Sequence, residues 1–418
     1  MQHSPSDDRT LSRVAIGRAL LALLLWGAMV RPSQAINITL DYTYDTSNFF
    51  GAGNPSGATA GTQAKAALEA AAGFYSKILT DTFSAIQTPP NFVSSQSNGV
   101  AFWSWSLNFS HPGTGGTVTL QNQTIAADEY RIYAGARGIP GTTLGIGGPG
   151  GYGFSYDNNG GRFSPAEGNQ LTQITQAFQS AVEDRGETSG FARWGGAITF
   201  DSDGSTNWHY NHAISPAAGT SDLYSVAIHE LGHALGLGAS AEWQALASGP
   251  SPIFTGAAAR SLYGGNPPLD AGRNHWASNA NKSTIYGTNI QQEAAMDPEI
   301  TTGTRKRLTA LDAAALTDIG WTVVPPPPTT FNSADFNEDT LVNGADLTTW
   351  KGAFGLNANG DADGDNDSDG ADYLIWQRNF GATSASGTLA MIPEPTTLTL
   401  MAGSAGLLVY ARRRRLGR

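Results

Sequence analysis

The stretch HELGHALGLGAS, residues 229–240, places two histidines and a glutamate at a spacing that suits metal-assisted hydrolysis. Residues four apart lie on one face of a helix, so His229 and His233 can present two imidazoles to one metal ion. Glu230 follows His229 directly, and a carboxylate at this place can take a proton from water activated by the metal. The motif predicts a zinc site with Glu230 as general base, although the same spacing also occurs by chance on ordinary amphipathic helices.

A catalytic zinc ion needs a third protein ligand, and the residues next to the motif do not supply it. Ala239 stands where a compact site would have a histidine or an aspartate, and no glutamate occurs between residues 243 and 292. Glu242 is too close behind the helix end to fold back onto the metal. His275, in GRNHWASN, is the only histidine after His233. His275 is therefore the candidate ligand, and the alternative is a loop histidine with no catalytic role.

The elements that position these residues follow from hydrophobic periodicity. It predicts strands over 36–45, 100–109, 116–125, 129–134 and 195–201, and helices over 62–79 and 169–185. Asp222 or Ser221 is the expected N-cap of the motif helix. Gly236 or Gly238 is expected to end it. The glycine-dense residues 135–161 predict a surface loop, and their scattered glycines exclude a phosphate-binding loop.

A methionine downstream of His275 completes the pattern. Met296, in EAAMDPEI, precedes a helical run, and His275 is followed by a tryptophan. Together, HExxHxxG, HW and this methionine resemble the leishmanolysin-like metzincins, zinc proteases in which an insertion displaces the third histidine. The resemblance covers residues 36–322 and implies an α+β zincin domain, with a mixed twisted sheet and an active-site helix. It further implies that His229, His233 and His275 bind one Zn²⁺, that Glu230 is the general base, and that Met296 forms the Met-turn beneath the metal.

Other features of the catalytic region are less specific. The resemblance places the strand at 195–201 at the sheet edge that pairs with an extended peptide substrate. His209 and His212, in NWHYNH, could form a second metal site or lie in a loop beside the cleft. The chain has no cysteine, which excludes disulfides, thiol catalysis and a cysteine-based latency switch. This departs from the best-known members of the family.

An acidic region after the prolines at 325–328 repeats itself. The residues DFNEDTLVNGADLTTWKGAFG, 335–355, align with DADGDNDSDGADYLIWQRNFG, which begins 26 residues later. Each copy has oxygen-bearing side chains at positions 1, 3, 5, 9 and 12 of a loop and a backbone carbonyl at position 7, a pattern that suits Ca²⁺. The first loop comprises Asp335, Asn337, Asp339, Leu341, Asn343 and Asp346, and the second comprises Asp361, Asp363, Asp365, Asp367, Asp369 and Asp372.

The paired loops, each followed by a short segment with a tryptophan and a phenylalanine, resemble dockerin type I modules. The resemblance implies a small all-α module at 333–382 that binds up to two Ca²⁺ and has a cohesin-like partner. Thr340 stands where such loops usually have glycine, so we expect weaker binding at the first site than at the second. A solvated acidic linker is the alternative.

The two ends of the chain predict export. Arg13 and Arg18 precede the apolar residues 19–30, and Ser33-Gln34-Ala35 offers small residues at a signal-peptide cleavage site. An uncleaved anchor is the alternative. Near the other end, Pro393-Glu394-Pro395, an apolar run and an arginine cluster resemble the PEP-CTERM sorting signal. That resemblance implies a bacterial surface or extracellular protein whose tail anchors it transiently, until a sorting protease cuts it, or permanently.

These features divide the chain into six parts. They are a signal peptide at 1–35, a metzincin-like domain at 36–322, a proline-rich linker at 323–332, a dockerin-like module at 333–382, a spacer at 383–392 and a sorting tail at 393–418. The expected function is that of an exported zinc metalloendopeptidase acting on protein or peptide substrates. The formal net charge is -11 and no basic face with interleaved aromatics occurs, which excludes nucleic acid as a partner. The alternative is an inert surface or matrix adhesion protein that uses the calcium module for protein contacts.

Overall fold

The computed structural model describes residues 36–187, 194–278, 282–325, 333–337, 341–357, 359–362 and 367–382. They fall into two compact units, a larger one with residues 36–212 and 218–325, and a smaller one with residues 213–217 and those from 333 onward. The predicted signal peptide, spacer and sorting tail lie outside the described residues. None of the described helices is long and apolar enough to cross a membrane.

The described residues of the larger unit form both strands and helices. The strands are β1 (Asn37–Asp41), β2 (Phe92–Val93), β3 (Val100–Ser110), β4 (Thr117–Gln121), β5 (Glu129–Arg137), β6 (Gly145–Pro149), β7 (Gly151–Asp157), β8 (Gly195–Asp201), β9 (Trp208–His209), β10 (Ser221–Asp222), β11 (Ala247–Ser248), β12 (Ile253–Phe254), β13 (Lys282–Thr284) and β14 (Gln291–Glu293). The helices of this unit are α1 (Ala58–Ile78), α2 (Pro165–Glu183), α3 (Leu223–Ala234), α4 (Ala241–Leu246), α5 (Ala257–Tyr263) and α6 (Ala310–Asp318). The mixture of sheets and helices fits the predicted α+β class.

The central sheet has four strands in the order β1, β5, β8 and β6. The first three run parallel, whereas β6 is antiparallel to β8 and lies at the edge. The prediction that residues 195–201 form the edge strand is therefore wrong. All seven residues of β8 are buried, as is typical of a strand with neighbours on both sides.

The glycine-dense stretch at 135–161 contains two strands, β6 and β7, so the prediction of a surface loop is also wrong. A side chain at Gly147 would collide with the backbone of Glu230, and one at Gly150 would collide with the ring of Trp194. Glycine is required here because the backbone approaches its neighbours closely. Hydrophobic periodicity cannot identify a strand whose inward positions have no side chains.

The two faces of the central sheet pack against different layers. Tyr130, Ile132 and Ile198 point to one face and belong to the core shared with α1 and α3. Tyr133 and Ala197 point to the other face, where they pack with residues of β3, β7 and α2. Strand β3 pairs with β7 along one edge and with β2 and β4 along the other. The helix that holds the HExxH motif therefore packs directly on the central sheet.

The described part of the smaller unit contains two helices, α7 (Gly344–Ala353) and α8 (Gly370–Asn379), in equivalent positions of the sequence repeat. Each begins with a capping box, formed by Asn343 and Asp346 in α7 and by Asp369 and Asp372 in α8. The tryptophan of each copy donates a hydrogen bond to a loop carbonyl of the other copy, Trp350 to Asp369 and Trp376 to Asn343. The two copies of the repeat are thus related in structure as well as in sequence.

Candidate metal centre

Helix α3 holds the HExxH motif, and its start is fixed by a buried cluster. Asp222 is the N-cap, and its carboxylate accepts hydrogen bonds from the backbone N–H and the hydroxyl of Ser225 at 3.0 and 2.7 Å. Arg305 lies 2.8 Å from the same carboxylate. The helix ends at Ala234, and Gly236 follows with a φ of 105°. The expected cap and end of this helix agree with its geometry.

The structure brings His229, His233 and His275 together, although the third is 42 residues from the second. The Nε2 atom of His233 lies 3.1 Å from the Nε2 atoms of both other histidines. Two nitrogens bound to one tetrahedral zinc ion lie about 3.3 Å apart, so the observed spacing fits a zinc ion. Among the described residues, this is one of two groups of three or more metal-binding side chains.

The other ring nitrogen of each histidine is already engaged. The Nδ1–H of His229 donates to the Ala295 carbonyl at 2.8 Å, and that of His233 donates to the Leu237 carbonyl at 2.8 Å. The Nδ1 atom of His275 lies 3.3 Å from the Asp270 carboxylate. A carbonyl can only accept, so these contacts fix the proton on Nδ1 and leave the Nε2 lone pair free. Lone pairs that converge in this way suit a cation between them.

Burial favours the neutral form of the two motif histidines. It lowers the pKa of His229 well below its ordinary value, and it lowers the pKa of His233 to about 4. The neighbouring imidazoles of the cluster lower both pKa values further, because they disfavour additional positive charge. Neutral imidazole is the form that binds a metal ion, so no proton has to be displaced from these rings near neutral pH.

The insertion between His233 and His275 forms a compact substructure that returns the third histidine to the helix. Helices α4 and α5 and the hairpin of β11 and β12 lie in this insertion. Their core is a cluster of Trp243, Phe254 and Trp276, with ring centroids 4.4 to 5.4 Å apart. The indole N–H of Trp243 also donates to the Arg273 carbonyl at 2.7 Å. The residues flanking His275 are thus anchored on both sides.

Asp312, a buried residue in the first turn of α6, connects the residue after His275 to the segment that precedes Met296. Its carboxylate accepts from the indole N–H of Trp276 and from the backbone N–H of Ala295, both at 2.8 Å. Ala295 in turn supplies the carbonyl that fixes His229. One carboxylate therefore binds both Trp276, which follows His275 in the chain, and Ala295, whose carbonyl accepts from His229. The TxxD capping box predicts the helix start from sequence, but nothing in the sequence indicates the contact with Trp276.

Met296 packs against α3. Its side chain is fully buried, and a Cβ atom at Gly232 would lie 2.6 Å from its sulfur. The loop after Met296 is held by Lys306, whose ammonium lies 2.9 Å from Glu293 and 3.5 Å from Asp297. The sequence does not predict this role of Lys306, because a lone lysine in a polar segment carries no signal of burial.

Glu230 is buried between α3 and β6. Burial raises the pKa of its carboxyl group to about 8, and a hydrogen bond from the backbone N–H of Gly147 opposes this shift. The carboxyl group lies in the same cleft as the three histidines, a cavity of about 950 Å³. Residues 142–147 line one side of it, and Pro298 to Ile300 line another. A cleft bounded by a sheet edge can hold an extended chain.

The other predicted metal-binding residues lie elsewhere. His209 contacts the Asn211 carbonyl at 2.7 Å, and the ring of His212 stacks on Tyr224. Neither belongs to a group of three metal-binding side chains within the described parts of the chain. These contacts favour a structural role over a second metal site, but His209 lies in strand β9 and not in a loop as expected.

Most predicted calcium ligands belong to the smaller unit and are described. In the second loop, carboxylate oxygens of Asp367, Asp369 and Asp372 lie within 4.8 Å of one another, although the prediction used the backbone carbonyl of Asp367. In the first loop, the Asp346 carboxylate accepts from the backbone N–H of Asn337 at 3.1 Å and from that of Asn343 at 2.7 Å. The predicted ligands Asp339, Asp363 and Asp365 lie outside the described residues. The remaining predicted ligands, Asp335, Leu341 and Asp361, are described but belong to neither group of metal-binding side chains.

Comparison with known proteins gives one match. The family model described as Matrixin matches residues 172–249. No curated protein and no solved structure matches the chain. The matched segment includes His229, Glu230 and His233 but ends before His275. The match supports a metzincin-type zinc metalloprotease.

Proposed function

We propose that this protein is an exported zinc metalloendopeptidase with His229, His233 and His275 as the metal ligands. The observation that carries the proposal is the convergence of three Nε2 atoms in a cleft that also contains a buried glutamate. A zinc ion held there would polarise the peptide carbonyl and lower the pKa of a water molecule. The three histidines would hold the ion in the cleft that also contains Glu230.

Glu230 is the proposed general base. It takes the proton from the attacking water and passes it to the nitrogen of the leaving amine, so the peptide bond is hydrolysed with no net change at Glu230. Its position between α3 and β6, next to His229 in the sequence, supports this role. Glu230 does not belong to the metal-binding group and so can act while the metal stays bound.

The proposed substrate is an extended segment of an extracellular protein. Strand β6 pairs with β8 on one side, and residues 142–147 line the cleft. Backbone hydrogen bonds to this strand would bind peptides of many sequences, since they do not depend on side chains. We therefore expect the substrate to pair with β6, and not with β8 as the sequence resemblance implied.

The test separates the base from the ligands. Glu230→Gln should abolish cleavage of casein while about one zinc ion per chain remains bound, because the substitution removes the base and keeps the three imidazoles. Glu242→Gln, outside the metal-binding group, is the matched control and should retain activity. Zinc binding without peptidase activity in the parent chain would instead favour the inert adhesion protein.

We further propose that the repeat at 333–382 binds calcium and is a dockerin-like module. The grouped carboxylates of the second loop and the reciprocal tryptophan contacts support this proposal. Calcium binding would neutralise repulsion among these carboxylates, so the melting temperature of this unit should rise with added Ca²⁺. An unchanged melting profile in a calcium titration of the full chain would contradict the proposal.

Export and sorting complete the proposal and rest on the sequence of the two ends. We expect the chain to be cut near Ala35 and again near Pro393-Glu394-Pro395 by a sorting protease, with a cohesin-like protein as a partner of the module. Intact-mass measurement of the surface-released protein tests both cuts. Released protein that retains Arg418 would exclude obligatory processing of the tail.

A further inference from the structure

The side of β6 that faces α3 has no side chains where it crosses Glu230. A Cβ atom at Gly145 would lie 2.6 Å from Oε1 of Glu230 and 2.8 Å from its Cγ. A Cβ atom at Gly147 would lie 2.8 Å from the carbonyl carbon of Glu230 and 2.9 Å from its Cα. Ile146, between them, is 42% exposed. Two alternate glycines therefore contact one residue of α3.

The two glycines contact different parts of Glu230. The atoms nearest Gly145 belong to the side chain, whereas those nearest Gly147 belong to the backbone. A carboxylate can rotate away from a new methyl group, but the backbone of a packed helix cannot. Alanine at 145 would displace the carboxyl group and leave the fold intact, and alanine at 147 would push β6 away from α3.

We propose that Gly145 and Gly147 are positioning residues that hold the Glu230 carboxyl group in its reactive place. Gly145 does so by leaving room for the carboxyl group, and Gly147 by its N–H and its close packing on α3. This inference rests on the proposed function. It adds that the strand expected to bind the substrate also positions the base, so the peptide backbone and the carboxyl group are aligned by the same element. A misplacement of about 1 Å at a reacting group can cost about 100-fold in rate.

Gly148 provides a matched control on the same strand. A Cβ atom at Gly148 meets nothing within 4 Å, and Gly148 is not among the residues that line the cleft. We therefore compare Gly145→Ala, Gly147→Ala and Gly148→Ala in the zinc-loaded full chain, measuring kcat/KM, zinc content and Tm. A fourth variant, Gly145→Ala with Glu230→Asp, shortens the acid and relieves the collision with the new methyl group.

We expect Gly145→Ala to lower kcat/KM by about 100-fold relative to Gly148→Ala, with equal zinc content and a smaller loss of Tm than in Gly147→Ala. Gly147→Ala should lower both kcat/KM and Tm. In the Glu230→Asp background, Gly145→Ala should cost less than about tenfold, because the shorter side chain leaves room for the methyl group. Activity of Gly145→Ala close to that of Gly148→Ala would overturn the proposal, as would an equal loss in both Glu230 backgrounds.

A second readout does not depend on peptidase activity. Gly145→Ala, Glu230→Asp and the combined variant form a double-mutant cycle, whose stability is measured by urea unfolding of the zinc-free protein. Gly145→Ala should be less destabilising in the Glu230→Asp background than in the parent background. Additive effects would overturn the contact between Gly145 and the carboxyl group. If the parent chain neither binds zinc nor cleaves peptides, the proposed function fails, and this cycle alone decides whether the glycines position Glu230.

Discussion

Removal of the Asp312 carboxylate should weaken both the fold and zinc binding. Asp312 is fully buried, and its carboxylate accepts hydrogen bonds from Trp276, from Ala295 and from the hydroxyl of Thr309 at 2.7 Å. Asp312→Ala leaves these donors without a partner, and each unpaired buried donor costs about 1 to 3 kcal/mol. Since the neighbours relax in part, we expect a loss of about 3 to 5 kcal/mol in the free energy of unfolding.

Zinc affinity is the more specific readout. Asp312 holds Trp276, the neighbour of His275, and Ala295, the partner of His229. Loss of such a partner behind the ligands typically lowers metal affinity by about 10- to 100-fold. Urea unfolding of the zinc-free chain gives the stability, and competition with a chelator gives the zinc affinity.

Asp318→Ala is the matched control on the same helix. The Asp318 carboxylate accepts from the backbone N–H groups of Ala258 and Ala259 at 2.8 and 2.9 Å, and it contacts none of the three histidines. This variant should lose stability but keep the zinc affinity of the parent chain. Equal zinc affinity in Asp312→Ala and Asp318→Ala would refute the role that we assign to Asp312.

Three further predictions concern single side chains. Trp276→Phe keeps the aromatic packing but loses the indole donor to Asp312, so chelator competition should show several-fold weaker zinc binding; unchanged affinity would contradict this contact. Glu230→Gln should raise the Tm of the zinc-free protein at pH 8. Burial raises the pKa of Glu230 to about 8, so the folded state keeps a proton that the unfolded state loses above about pH 4.5. The stability of the parent chain therefore falls as pH rises from about 4.5 to about 8, and the variant avoids this loss. A lower Tm for Glu230→Gln at pH 8 would refute that assignment. Asp372→Ala removes the carboxylate that closes the second loop, so calorimetric titration of the full chain should show weaker Ca²⁺ binding. Asp157→Ala, at an exposed residue of the larger unit, should leave Ca²⁺ binding unchanged.

Periodicity predicted seven elements of the larger unit, whose buried faces have side chains: strands β1, β3, β4, β5 and β8 and helices α1 and α2. The helices expected at 62–79 and 169–185 occur as α1 and α2, each starting four residues earlier than expected. Helix α2 begins at Pro165, after a capping box formed by Ser164 and Glu167. The resemblance also led to His275, because few histidines are present and the residues around it are distinctive.

The edge strand could not be predicted, for a physical reason. Its identity depends on how closely β6 approaches α3, and that approach requires glycines, which resemble a loop in the sequence. The buried partners Asp312 and Lys306 were missed for a related reason. Their roles arise from contacts between segments far apart in the chain, such as Trp276 with Asp312, which no local pattern contains.

The central claim is that His275 completes a zinc site with the two histidines of α3, and zinc stoichiometry in His275→Ala tests it most directly. Metal analysis after dialysis should give about one zinc ion per chain for the parent and for His209→Ala, a histidine outside the cluster. His275→Ala should retain much less than one, because two imidazoles on one helix cannot complete the site. A full zinc ion in His275→Ala would contradict the account and require a different third ligand.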